Sequence, residues 1–140
     1  MEAPAGTVGA FAAILDELGR LLIVQENDGR RRFGFPGGRI EDGERPEEAV
    51  VRECLEETGL TVRIEHLVGS YGFTNGLQAM VFRCSVVSGS PGIQDDEIAY
   101  VGWLAPDQIP PPIRNSLHFA LADALAERRS VARADLTPIT

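Results

Sequence analysis

The sequence predicts an α/β fold of the α+β type, formed as one domain over residues 1–140. Two observations predict it: strand-length apolar runs flank an acidic helical pattern at 46–58, and a second helical pattern lies near the C-terminus. A chain of 140 residues has the usual size of a single domain, and 44% hydrophobic residues suit one core. No internal repeat divides the sequence.

Strands are predicted at the N-terminal end of the chain. The apolar runs at 7–15 and 20–26 are separated by "DELG", which predicts a β-hairpin with Gly19 in the turn. The stretch "RRFGFPGGRI" then joins aromatic residues to a proline and to Gly37 and Gly38. This combination predicts a short strand followed by a glycine segment whose backbone either has positive φ or lies close to another part of the molecule.

The first helix is predicted from 46 to 58. Pro46 suits the first helical turn, and Glu47 and Glu48 favour the positive end of the helix dipole. Gly59 is a typical C-terminal stop. The arginine that precedes Pro46 is a poor N-cap residue.

The remainder of the chain alternates strands and one more helix. Strands are predicted at 60–73 and 77–87, on either side of the turn "TNG", and at 98–104. A proline-stiffened connector leads into an amphipathic helix at about 113–128, whose apolar face is expected to pack on the core. The tail at 130–140 is expected to be flexible.

Composition excludes several partners. The formal net charge of −8 argues against nucleic acid polymers, because a phosphate backbone needs a basic surface. No apolar run approaches the length of a bilayer span and the N-terminus does not resemble a signal peptide, so we expect no membrane association and a cytoplasmic location. Cys54 and Cys84 are expected to be buried thiols. Edge strands and the second helix would allow a homodimer, which the sequence does not favour over a monomer.

The predicted helix carries an unusual acidic face. At 100° per residue Glu53, Glu56 and Glu57 share one side with Ala49, and like charges at this spacing destabilise a helix. A solvated surface helix is the ordinary interpretation of such a charge run. However, Arg52 is the only cation in the last two turns, so a bound divalent cation would supply the missing positive charge.

This interpretation indicates a metal site. Carboxylate oxygens suit Mg²⁺ or Mn²⁺, so Glu53, Glu56 and Glu57 are candidate ligands. Arg52 would hold a carboxylate or a phosphate through its fork of donors. The glycine pair at 37 and 38 would let the backbone approach the same site and contact a substrate.

Residues 38–60, "GRIEDGERPEEAVVRECLEETGL", resemble the Nudix box, G-x5-E-x7-R-E-U-x-E-E-x-G-U, in which U is a bulky aliphatic residue. Only Cys54 departs from the pattern, at the first U position. The preceding "GFPGG" is also similar to the usual lead-in of the family. The resemblance implies an α/β/α sandwich, with a mixed β-sheet between helices, from about residue 6 to 128. The matching positions are Gly38, Glu44, Arg52, Glu53, Glu56, Glu57, Gly59 and Leu60.

The resemblance also implies an activity. Nudix hydrolases cleave the pyrophosphate bond of a nucleoside diphosphate linked to another group X, by attack of water on phosphorus in the presence of a divalent cation. We therefore expect Mg²⁺, with Mn²⁺ as a substitute. Glu53 and Glu57 would be the leading metal ligands and Glu56 a third. Glu44 would bind the metal through water or act as a helper, and Arg52 would orient Glu53 or Glu56.

The general base stays open between two glutamates. Within the family it is either a glutamate of the box or one in a later loop. Glu97, in "QDDEIAY", resembles the loop glutamate, and Glu53 is the alternative within the box. A solvated turn is the ordinary interpretation of the acids at 95–97.

Substrate contacts are less well marked in the sequence. Phe35 and Tyr71 would stack on a base, although core packing is the ordinary role of such rings. Arg31, within "GRRR", would meet phosphates unless that turn is simply solvated.

The substrate class follows only from the resemblance. Residues 75–78 lack the proline and the tyrosine that mark the ADP-ribose and dinucleoside polyphosphate subgroups. The short chain is most similar to nucleoside triphosphate pyrophosphohydrolases. The alternatives are an ADP-ribose or nucleotide-sugar pyrophosphatase, a non-catalytic nucleotide sensor, and an acidic metal-binding protein without turnover.

Overall fold

The computed structural model describes residues 4–139. Within them two sheets form: a five-stranded mixed sheet of order β4-β1-β6-β5-β8 and a three-stranded sheet of order β3-β2-β7. The strands are β1 (Val8–Ile14), β2 (Leu21–Glu26), β3 (Phe33–Gly34), β4 (Gly37–Arg39), β5 (Thr61–Phe73), β6 (Gln78–Ser88), β7 (Ile98–Leu104) and β8 (Val131–Leu136). The helices are α1 (Pro46–Thr58) and α2 (Asn115–Leu125), with a 3₁₀ turn at Pro106–Gln108.

The five-stranded sheet lies between the two helices. Val50 and Cys54 of α1 share one buried cluster with Ala12 of β1, whereas Leu117 of α2 shares another with Ala13. Neighbouring residues of a strand point to opposite faces of its sheet. The helices therefore cover opposite faces, which confirms the predicted α/β/α sandwich.

The prediction of a hairpin between the first two strands is wrong. Gly19 does lie in a turn, with φ of 75°, but within residues 4–139 a single bridge, between Leu15 just after β1 and Leu21 of β2, joins the two strands. Beyond it β1 pairs with β4 and β6, while β2 pairs with β3 and β7. Both edges of each strand are therefore taken by other strands, and the two strands diverge into separate sheets.

Helix α1 has the predicted bounds. Gly59 ends it with φ of 79°, and its N–H donates to the carbonyl of Leu55. At the start of the helix, the backbone N–H of Arg45 donates to the side chain of Glu48 at 2.9 Å. This contact stabilises the first turn, although the N-cap residue Arg45 makes no side-chain cap of its own.

Helix α2 is shorter than the predicted 113–128. Ile113 bridges to Phe33 before the helix begins, and Glu127 has a positive φ of 56° after it ends. Neither helix of the described chain is long and apolar enough to cross a membrane.

The tail at 130–140, for which we expected flexibility, contains strand β8 over Val131–Leu136, and residue 140 lies outside the described residues. Strand β8 pairs in parallel with β5, and Arg133 of β8 donates to Asp123 of α2 at 2.7 Å. Asp123 is only 1% exposed and also accepts hydrogen bonds from Arg128 and from the hydroxyl of Tyr71, each at 2.7 Å. A buried carboxylate with three donors thus fastens the C-terminal strand to α2.

Both cysteines are buried free thiols, as predicted. Cys54 of α1 and Cys84 of β6 belong to the same buried cluster under α1. Burial raises the pKa of both thiols, so neither is a reactive thiolate.

Candidate active site

Glu57 is the most deeply buried of the acidic residues on α1. Its carboxylate is 6% exposed, and Oε1 accepts the backbone N–H of Gly37 at 2.9 Å. Burial raises the pKa of Glu57 to about 7, Arg114 and the Gly37 N–H oppose the rise, and the charges of Glu53 and Asp95 add to it. A sheltered carboxylate near other negative charges is suited to binding a cation.

Glu53 lies one turn earlier, against the backbone of β4. Its side chain is 16% exposed, and a Cβ atom on Gly38 would lie 2.8 Å from its carboxyl group. Burial raises the pKa of Glu53, Arg52 opposes this, and the charges of Glu56 and Glu97 add to the rise. Gly38 thus leaves the space that the Glu53 carboxylate occupies.

Gly37 is a glycine for a different reason. A Cβ atom there would collide with the carbonyl oxygen of Ala10, which is backbone of the neighbouring strand and has little room to move. The pair Gly37 and Gly38 therefore brings β4 close to β1 on one side and to the acidic face of α1 on the other.

Arg52 binds several carboxylates of the site. Its Nε and Nη2 meet the two oxygens of Glu44 at 2.7 and 3.1 Å, and its Nη1 meets Glu53 at 3.0 Å and Glu56 at 3.2 Å. The sequence left open whether Arg52 would orient Glu53 or Glu56, and in the structure Arg52 contacts both. The pKa of Glu44 is lowered by its hydrogen bond with Arg52, and this contact agrees with the helper role.

Glu56 is the most open of the three predicted ligands. Its side chain is 52% exposed, and its described partner is Arg52. The face therefore runs from the buried Glu57 through the half-buried Glu53 to the exposed Glu56.

The loop before β7 lies near the same face. The charge of Glu97 raises the pKa of Glu53, and that of Asp95 raises the pKa of Glu57, after the larger effect of burial in each case. The backbone N–H of Glu97 donates to Asp95 at 2.9 Å, and its carbonyl accepts the N–H of Asn27. The fold thus brings the loop glutamate toward the box glutamates, although 40 or more residues separate them from it in sequence.

Two predicted substrate contacts are wrong. Phe35 and Tyr71 are buried in the core, and the Tyr71 hydroxyl donates to Asp123. Neither ring has a face on which a base would stack.

Arg31 is exposed at the turn between β2 and β3. Its Nη1 donates to Asn27 at 2.9 Å, and Asn27 in turn donates to the carbonyl of Asp96 at 2.8 Å. The turn is therefore connected to the loop that carries Glu97, which is consistent with a phosphate contact and with a solvated turn alike.

Arg114, the residue just before α2, is a member of the site that the sequence did not indicate. Its Nη1 donates to the carbonyl of Phe35 at 3.2 Å, and its charge lowers the pKa of Glu57 against the larger effect of burial. In the sequence it lies in the proline-rich connector, and no motif marks it.

The residues present fit a divalent cation of the hard, oxygen-binding kind. Glu53 and Glu57 are carboxylates largely held away from water, and the missing side chain of Gly38 lets the Glu53 carboxylate lie against the backbone of β4. Among residues 4–139 no three acidic, histidine or cysteine side chains already surround a single point. Binding by all three glutamates would therefore need the Glu53 and Glu56 carboxylates, which Arg52 holds, to move.

Comparisons with known proteins identify the family. A family model described as "NUDIX domain" matches residues 5–125. A "MutT-like protein" of Streptomyces ambofaciens is 36% identical over 123 residues, which are 87% of this chain and 79% of that protein. A Bacillus subtilis (strain 168) protein named as a candidate 8-oxo-dGTP diphosphatase is 34% identical over 105 residues, covering 74% of this chain and 70% of its own.

A solved structure agrees with these relatives. The crystal structure of an ADP-ribose pyrophosphatase from Streptococcus suis 89-1591 has a TM-score of 0.75 and 26% identity, and the match covers 94% of this chain and 100% of that one. The matched family model, the two relatives and this structure point to the same family. The chain therefore belongs to the NUDIX family and is a Nudix pyrophosphohydrolase.

Proposed function

We propose that this enzyme hydrolyses a nucleoside triphosphate to the monophosphate and pyrophosphate, with Mg²⁺ as cofactor and Mn²⁺ as a substitute. The observation that carries the proposal is the pair of sheltered carboxylates on α1, Glu53 and Glu57, beside the backbone of Gly37 and Gly38. The reaction forms a bond between a water oxygen and a phosphorus atom and breaks one P–O bond of the bridge. One proton of the water passes to a base.

Glu53, Glu56 and Glu57 would hold the cation, and a bound cation neutralises charge on phosphate oxygens and lowers the pKa of water. Arg52 keeps Glu53 and Glu56 on one side of the helix, and Glu44 holds Arg52 in place through two hydrogen bonds. The pair of glycines keeps side chains away from the space in which the phosphates would lie.

Glu97 is the base that we favour over Glu53. Its side chain is exposed on a loop near the acidic face, whereas Glu53 already accepts a hydrogen bond from Arg52. A general base needs access to the attacking water and a carboxylate free to accept its proton. Exposure and proximity support Glu97 in both respects.

The relatives support the substrate class. A MutT-like relative and a relative named for 8-oxo-dGTP favour a nucleoside triphosphate, normal or oxidised. The alternative of ADP-ribose, or of a nucleotide sugar, is supported by the name of the Streptococcus suis structure. For the phosphates we propose backbone contacts at Gly37 and Gly38 and a contact from Arg31.

We also propose a cytoplasmic enzyme, supported by two free thiols that suit a reducing compartment. A homodimer would use the outer edge of β8, which ends the five-stranded sheet. Gel filtration tests the dimer.

The first experiment is a substrate panel. The protein is incubated with Mg²⁺ and with nucleoside triphosphates, oxidised analogues, ADP-ribose, nucleotide sugars and dinucleoside polyphosphates, and products are resolved by chromatography. The control variants are Glu57→Gln and, as a matched exposed change, Glu17→Gln. A monophosphate that disappears with EDTA and with Glu57→Gln, but not with Glu17→Gln, supports the proposal.

Other outcomes assign the alternatives. Turnover of ADP-ribose alone would select that substrate class. Nucleotide binding without turnover across the panel would favour the sensor. Equal metal affinity in wild type and Glu57→Gln would overturn the assignment of Glu57 as a ligand.

A further inference from the structure

Arg114 connects the start of α2 to the strand that precedes the glycine pair. Its side chain is 15% exposed, its Nε meets Glu26 at 3.2 Å, and its Nη1 donates to the carbonyl of Phe35 at 3.2 Å. One guanidinium therefore joins β2 to the segment after β3. Its planar fork suits this task, because it offers several donors at fixed angles.

The backbone around Arg114 is fastened to the same strand. The N–H of Arg114 donates to the carbonyl of Phe33 at 2.8 Å, and the N–H of Phe33 donates to the carbonyl of Pro112 at 2.9 Å. The arginine stem also fills the place of a side chain at Gly34, where a Cβ atom would lie 2.6 Å from its Cδ. Arg114 thus has little freedom to shift relative to 33–35.

Two residues after Phe35 the chain reaches a direct contact with the acidic face. The N–H of Gly37 donates to Glu57 at 2.9 Å. A continuous path therefore runs from the Arg114 guanidinium through the Phe35 carbonyl and the backbone of 35–37 to the Glu57 carboxylate. Pro36, between them, limits rotation of this short path.

The charge of Arg114 is only partly cancelled. Its acidic partner, Glu26, also accepts hydrogen bonds from the side chain and the backbone N–H of Arg32. One carboxylate thus faces two arginines.

We propose that Arg114 is a positioning residue for the metal site: it holds the Phe35 carbonyl so that the Gly37 N–H stays on Glu57, and Glu57 keeps the orientation in which it binds the cation. The inference rests on the proposed function only in taking Glu57 as a metal ligand. Partners that orient metal ligands typically contribute 10–100-fold to metal affinity or activity.

A direct substrate contact is the competing role for this arginine. A phosphate-binding arginine would change the KM for nucleotide and leave metal binding to the substrate-free protein unaffected. A positioning residue would change metal binding even when no nucleotide is present. Metal affinity and KM therefore separate the two roles.

The test measures Mn²⁺ binding to the substrate-free protein by electron paramagnetic resonance, together with kcat and KM for the nucleotide that the panel identifies. The variants are Arg114→Met, which has a stem of similar bulk without the donors, and Arg114→Lys, which keeps the charge without the fork. Arg63→Met is the matched control, because Arg63 is an exposed arginine on β5 paired with Glu65. Urea unfolding of each variant reports the fold.

We expect the Kd for Mn²⁺ to rise about tenfold in Arg114→Met, with a lower kcat and a KM within about twofold of wild type. The Kd for Mn²⁺ of Arg114→Lys should lie between those of wild type and Arg114→Met, and the Kd of Arg63→Met should match wild type. If Arg114→Met does not fold, Gly34→Ala gives the same test, because its Cβ would displace the Arg114 stem while the charge remains.

Wild-type Mn²⁺ affinity in Arg114→Met, or in Gly34→Ala where Arg114→Met does not fold, would overturn the inference, as would a higher KM with unchanged Mn²⁺ affinity. Weaker Mn²⁺ binding in a protein that turns over no nucleotide would support the inference while the proposed function fails.

Discussion

Arg52 and Glu44 form a two-point ion pair, with Nε 2.7 Å from one carboxylate oxygen and Nη2 3.1 Å from the other. The pair fixes the plane of the guanidinium, so that the remaining nitrogen points at Glu53 and Glu56. The acidic face of α1 is therefore organised by an arginine that is itself held from the preceding loop.

Arg52→Lys should lower kcat about 10–100-fold, because an ammonium group cannot hold Glu44 by two bonds and also reach two other glutamates. Steady-state kinetics and Mn²⁺ binding measure the effect. Arg45→Lys is the matched control, since Arg45 is exposed and pairs only with Glu48 among the described residues. Unchanged kinetics in Arg52→Lys would show that a point charge is sufficient at this position.

Glu97→Gln should lower kcat about 100-fold or more while Mn²⁺ affinity stays close to wild type, because the amide no longer accepts a proton from water. Single-turnover kinetics and metal binding measure the two quantities separately. Asp107→Asn, an exposed acid beyond β7, serves as control. If kcat is unaffected in Glu97→Gln, Glu97 is not the base, and Glu53→Gln becomes the next variant to measure.

Gly38→Ala should lower activity, whereas Gly37→Ala should lower stability. At Gly38 the new methyl group meets the Glu53 carboxylate, a side chain that can turn away, so we expect lost activity with near-normal stability. At Gly37 it meets the backbone carbonyl of Ala10, so we expect a loss of about 1–3 kcal/mol in the free energy of unfolding. Urea unfolding and kcat distinguish them, and equal stability losses would contradict this difference.

Asp123→Asn should destabilise the protein in a pH-dependent way. Hydrogen bonds from Arg133, followed by those from Arg128 and Tyr71, hold the pKa of Asp123 well below its usual value of 3.8, against the opposing effect of burial. A lowered carboxyl pKa contributes stability that is present above about pH 4 and is lost as the pH falls toward the folded-state pKa. We therefore expect a deficit of about 2 kcal/mol at pH 7 that shrinks below pH 4.

The deficit is measured by urea unfolding at several pH values, with Asp107→Asn as the exposed control. A deficit that is the same at pH 7 and at pH 3 would mean that Asp123 acts through packing rather than through its charge.

The sequence predicted those parts of the fold that local residues determine. Helix α1 was predicted with correct bounds because Pro46 and Gly59 mark its ends, and the acidic face follows from helical spacing alone. The separation of β1 from β2 was not predicted, because strand pairing depends on partners far along the chain. Strand β8 was missed for the same reason, since its anchor to Asp123 is a tertiary contact.

Arg114 illustrates the same limit within the site. Its side-chain partners, Glu26 and Phe35, lie 88 and 79 residues away in sequence. No spacing rule connects residues at such distances. The acidic face of α1 was predictable because a single helix presents it, whereas Arg114, for which we propose a positioning role, comes from another element.

The two buried thiols under α1 make the opening of this helix measurable by chemical modification. Cys54 lies on the inner face of the helix that carries the acidic residues, and Cys84 lies beneath it in the same cluster. A thiol reagent reaches the fully buried sulfur of Cys54 only in molecules in which the helix has parted from the sheet, so the labelling rate of Cys54 reports how often the active-site helix opens. Ligands that bind only the closed enzyme would lower the labelling rate, because the ligand-bound fraction of the molecules does not open.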